Sequence, residues 1–82
     1  MDIKILEQYK FVLNNKKSYI LILNALPNYR SEKVQIGNDI FDFFLVYREK
    51  IQFTIDYSIS ITTEKEYQFE GKNIYFIPLE DK

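Results

Sequence analysis

The sequence predicts an α+β domain in which one N-terminal helix packs on a curved antiparallel β-meander of about five to six strands. Three observations carry this. Apolar residues near the N-terminus recur at helical spacing, residues 51–62 alternate with period two, and isolated turn formers divide most of the chain into short strands. At 82 residues the chain is predicted to form a single domain, 1–82, with a small core.

The helix is expected over Ile3 to Asn15. Ile5, Leu6, Tyr9, Val12 and Leu13 fall within an arc of about 120° at helical periodicity. Asp2 stands at the N-cap position, and Asn14-Asn15-Lys16-Lys17 supplies turn formers and cations at the other end. A competing reading pairs Tyr9–Leu13 with Ser18–Leu23 as a hairpin across the same Asn/Lys turn. The narrow arc favours the helix.

Ser18 to Leu26 is an apolar run with β-formers at both parities, which predicts a central strand covered on both faces. Pro27 ends it, and Asn28 to Glu32 reads as a polar loop. Val34 and Ile36 begin a short strand, Gly37-Asn38 turns the chain, and Asp39 to Tyr47 returns as an aromatic-rich strand. After the turn at Arg48-Glu49-Lys50, Ile51, Phe53, Ile55, Tyr57, Ile59 and Ile61 alternate with polar residues. That pattern belongs to an antiparallel strand with one wet face. Tyr67 and Phe69 mark a fifth strand, Gly71-Lys72 a turn, and Asn73 to Ile77 the last strand, ended by Pro78.

Composition removes whole classes of chemistry. The chain has no His, Cys or Trp. Disulfides, thiolate nucleophiles, imidazole acid–base catalysis and zinc sites built on nitrogen or sulfur are thereby excluded. Both glycines are isolated, so there is no phosphate-binding loop. Asp39, Asp42 and Asp56, with Glu49, form the best carboxylate group, but their spacing is nonspecific. The chain is therefore read as a non-enzyme with no cofactor.

The net charge of −1 is uneven: residues 1–33 carry +3 and residues 34–82 carry −4. An acidic β-region suits a basic partner. The longest apolar run, Tyr19 to Leu23, is too short to span a bilayer, and no leader pattern is seen, so a cytoplasmic protein is expected. Ile, Lys, Asn, Tyr and Phe supply 41 of the 82 residues, a bias toward A/T-rich codons that suits a mobile gene.

These features predict a small protein-binding inhibitor of the immunity or anti-defence type, which occludes a larger basic protein such as a nuclease. Its expected binding face is Asp39, Asp42, Phe43, Glu49, Asp56, Glu64, Glu66 and Glu70, with Phe41 or Phe44 as further candidate anchors. An exposed apolar patch beside these acids would equally serve a homodimer. Two alternatives remain open at this point. One is nucleic-acid binding through Lys4, Lys10, Lys16, Lys17, Arg30 and Lys33; the other is a small-ligand pocket between helix and sheet.

Overall fold

The computed structural model describes residues 2–46 and 57–79, and these contain no helix. Seven antiparallel strands form one sheet: β1 (Ile3–Leu13), β2 (Lys16–Leu23), β3 (Ser31–Ile36), β4 (Asp39–Asp42), β5 (Phe44–Val46), β6 (Tyr57–Thr63) and β7 (Asn73–Pro78). Their order across the sheet is β4-β3-β7-β1-β2-β6-β5. The two outermost strands, β4 and β5, are consecutive in the chain with Phe43 alone between them. One bent segment therefore pairs with β3 through its first half and with β6 through its second, so the sheet curls back on itself as a small barrel.

The α+β expectation is overturned at the N-terminus, where residues 3–13 form a strand rather than a helix. Of the five residues on the helical arc, only Ile5 is buried; Leu6 is 50% and Leu13 72% exposed. Asn14 and Asn15 adopt positive φ angles of 53° and 66° and make a two-residue hairpin turn, with Leu13 opposite Lys16. Asn tolerates this left-handed backbone better than most residues. The competing hairpin reading is thus the one the structure adopts.

A bulge between Ile5 and Glu7 explains the misleading periodicity. Ile3 and Ile5 point into the barrel, and the extra residue then reverses the phase. Tyr9, Phe11 and Leu13 consequently lie on the outer face although they share odd numbers with Ile3 and Ile5. A period-two strand interrupted by one phase change presents apolar residues at spacings that resemble a helix.

The meander is corrected as well, because β7 inserts between β3 and β1 instead of ending the series. The expected strand at Tyr67 and Phe69 is an irregular segment without ladder partners. Side chains hold it instead. Gln8 Oε1 accepts the Phe69 N–H (2.6 Å) and the Glu70 N–H (3.2 Å), Gln8 Nε2 donates to the Tyr67 carbonyl (3.1 Å), and the Tyr19 hydroxyl accepts the Tyr67 N–H (2.9 Å). These bonds supply what a ladder would otherwise provide to the buried backbone.

Other elements fall where the residue pattern places them. β2 lies between β1 and β6, as its apolar character at both parities requires. Gly37 (φ 63°) and Gly71 (φ 84°) occupy turns that need the left-handed region. Ile59 and Ile61 of β6 face inward, in phase with the alternation; residues 51–56 of that expected strand and the turn at 48–50 lie outside the described residues.

Tyr19, Leu21 and Leu23 of β2, Val34 and Ile36 of β3, Ile59 and Ile61 of β6, and Ile74 and Phe76 of β7 fill the barrel with Ile3 and Ile5. Phe69 closes it from the irregular segment. Its ring meets Tyr19 edge-on at 5.2 Å and Phe41 at 5.6 Å, and stacks on Tyr67 at 5.1 Å.

Candidate binding surface

The bend that closes the barrel also opens a cleft. After Asp42, the Phe43 ring turns inward and packs edge-on against Phe76, with centroids 5.1 Å apart. The next two side chains, Phe44 and Leu45, remain 75% and 48% exposed. Facing them is the loop that follows β2. Tyr29 anchors this loop by donating from its hydroxyl to the Phe76 carbonyl (2.6 Å), and the Leu79 N–H donates to the Arg30 carbonyl (3.0 Å).

Between loop and bend lies a cleft of about 910 Å³, lined by Leu26, Pro27, Tyr29, Arg30, Ser31, Glu32, Asp42, Phe43, Phe44, Leu45 and Phe76. Its floor is aromatic, and one cation and two carboxylates lie along its lining. That combination accepts an apolar group while fixing its orientation at the edges.

A second apolar surface runs along the outer face of β1 and β2. Opposite pairs in the ladder place Tyr9 beside Ile20 and Phe11 beside Ser18. Phe44 and Val46 continue the same face across β6, opposite Ser60 and Ser58. Phe11 is 55% exposed. Exposed apolar side chains in such continuity mark an interaction surface more than single ones do.

The expected binding residues divide into three groups. Asp42 and Phe43 line the cleft, and Asp39 begins the same strand. Glu64, Glu66 and Glu70 lie on the connection between β6 and β7, which touches β4 through the edge-on contact of Phe41 with Tyr67 at 5.2 Å. Glu49 and Asp56 lie outside the described residues.

Two of these acids have cationic neighbours. Lys33 Nζ donates to Asp42 across the β3–β4 ladder at 2.7 Å, and Lys10 Nζ donates to Glu66. The hydrogen bond from Lys10, and then its charge, hold the Glu66 carboxyl below its ordinary range. Hydrogen bonding and then charge likewise raise Lys10 and Lys33 through their partners. All four side chains are substantially exposed, so solvent screens both pairs strongly. Asp39, Glu64 and Glu70 are exposed. Among the described residues, no group of three or more acidic side chains is arranged to hold a metal ion.

Sequence reasoning missed the loop wall of the cleft. Leu26, Pro27 and Tyr29 read there as a strand end and a polar loop, and long-range bonds, from the Tyr29 hydroxyl to the Phe76 carbonyl and from the Leu79 N–H to the Arg30 carbonyl, hold the loop opposite the bend. The outer stripe of Tyr9, Phe11 and Leu13 was missed because it was assigned to a helix, although alternate spacing over 9–13 carried the signal.

No family model, curated protein or solved structure matches this chain. Among the described residues no helix is long and apolar enough to cross a membrane.

Proposed function

We propose that this chain is a small, non-catalytic protein-binding inhibitor, acting in the cytoplasm as an immunity protein or an anti-defence factor. The observation that carries the reading is the aromatic-floored cleft of about 910 Å³ with Phe44 and Leu45 exposed at its edge. Large apolar side chains beside a preformed apolar cleft suit a partner that supplies a complementary anchor. The exposed acids Asp39, Glu64 and Glu70 on neighbouring segments suit a partner with a basic surface, such as a nuclease, by steering its approach.

A small-molecule ligand is the second reading. The cleft volume lies within the range of ligand sites, and Arg30 offers a charge to orient an anionic group.

Affinity capture from the native host, using the tagged protein beside its Phe44→Asp and Leu45→Asp variants, tests the first reading. A charge at either exposed position leaves the barrel core intact and places a carboxylate at the cleft's edge. The wild type is expected to retain one dominant protein, and both variants to lose it while melting at the wild-type temperature. Retention unaffected by either variant but abolished by charge reversal at Lys10, Lys16 and Lys17 would instead support the nucleic-acid alternative.

A further inference from the structure

Among the described residues, part of the central strand β1 has a pairing partner on one side alone. β7 pairs with β1 only at Ile3 and Lys4, and the 71–72 turn closes the next step by bonding to Ile5. Farther along, β1 has β2 on one side, and no other described residue hydrogen-bonds to the backbone of Lys10, Phe11, Val12 or Leu13. Phe11, Val12 and Leu13 are 55%, 64% and 72% exposed. An apolar strand edge of this kind is a template for another strand.

The hairpin turn fixes which groups face that edge. Across a two-residue turn, the flanking residues exchange both hydrogen bonds, so Leu13 is bonded to Lys16 and, two residues on, Phe11 to Ser18. Lys10 and Val12 consequently direct their N–H and C=O groups away from β2. The open edge presents two donors and two acceptors at the spacing of an antiparallel ladder.

We propose that this edge is taken by a second copy of the chain, in an antiparallel pairing centred on Phe11. The argument for a second copy is self-complementarity. With Phe11 opposite Phe11 of the partner subunit, Lys10 faces Val12 of the partner subunit, and the two pairs exchange four backbone hydrogen bonds. Tyr9 then faces Leu13 of the partner subunit, so the outer face carries an unbroken apolar strip. Centring on Lys10 sets two like charges opposite each other, which is unfavourable. Centring on Val12 brings Asn14, whose φ is 53°, into the ladder, where it cannot extend the strand. Of these three registers, the Phe11-centred one avoids both faults.

The contact is short, so the dimer belongs to the small, reversible class of interfaces. It lies at the turn end of β2, whereas the cleft is built on the loop that follows Leu23 at the other end. The dimer therefore extends the binding proposal without depending on it, and either can fail alone.

The test uses the absence of native cysteine. Residues opposite each other in a non-hydrogen-bonded pair have Cα atoms about 4.5 Å apart, within the range a disulfide spans. Phe11→Cys and Leu13→Cys are each exposed to oxidised glutathione, and wild type and Val12→Lys are run by sedimentation velocity over a concentration series. Phe11→Cys should cross-link to a dimer and Leu13→Cys should not. The wild type should dimerise reversibly. Val12→Lys, which sets a new ammonium group against Lys10 of the partner subunit, should remain monomeric with its melting temperature unchanged. A wild type that stays monomeric to the highest soluble concentration overturns the proposal. So does cross-linking of Leu13→Cys as readily as Phe11→Cys, or an edge occupied only when a different protein is added.

Discussion

Phe69→Ala is expected to destabilise the protein by about 3–5 kcal/mol, the cost of deleting a buried aromatic side chain. Phe69 is 1% exposed and makes ring contacts with Tyr19, Phe41 and Tyr67. Removing it leaves a void where three segments meet, namely β2, β4 and the connection before β7. It also loosens the backbone that Gln8 and Tyr19 hold by hydrogen bonds. A chain of this length has a total stability of about 4–12 kcal/mol, so the variant is expected to be largely unfolded near its lower bound. Urea unfolding of the two proteins measures the difference. A loss below about 1 kcal/mol would mean that residues 66–70 are not docked against the barrel.

The second large effect separates neighbours in β1. Ile5→Ala is expected to cost about 2–5 kcal/mol, because Ile5 is fully buried and touches the centre of the core. Leu6→Ala should cost less than about 1 kcal/mol, since Leu6 sits at the bulge with half of its surface in water. A packed helix would bury both on one arc and make both substitutions costly. Equal, large losses in the two variants would therefore favour the helix over the strand.

The contrast shows what could be read from the residues and what could not. Antiparallel sheet was legible because Ile59 and Ile61 alternate with Ser58, Ser60 and Thr62, and because Gly37 and Gly71 stand where the chain must turn. The first thirteen residues were ambiguous for a physical reason. A bulge moves a strand's apolar face to the other side, and the combined pattern mimics a period of 3.6. Asn14-Asn15 was the decisive local signal, since consecutive residues able to adopt positive φ favour a two-residue hairpin over a helix end.

The cleft was half legible. Phe43 and Asp42 stood out as an aromatic beside an acid, and both line it. Its opposite wall depends on the Tyr29 hydroxyl reaching the carbonyl of Phe76, forty-seven positions away, which no local pattern announces. The irregular hold on residues 66–70 was hidden for the same reason. Tyr67 and Phe69 alternate like a strand, but their backbone partners are the side chains of Gln8 and Tyr19 rather than another ladder.

The described sheet order and the proposed dimer edge both depend on residues 3–13 being a strand. As a strand they complete the barrel, expose Phe11 and Leu13, and leave the edge of Lys10 and Val12 without a partner among the described residues. Nuclear Overhauser contacts in the isotope-labelled protein test this most directly. Strong cross-strand Hα–Hα contacts are expected for the pairs Gln8–Leu21, Lys10–Tyr19 and Val12–Lys17, which face each other without direct hydrogen bonds in this register. A continuous run of sequential amide–amide contacts over residues 3–15, with Hα-to-amide contacts three residues apart and no Hα–Hα pairs, would contradict the strand.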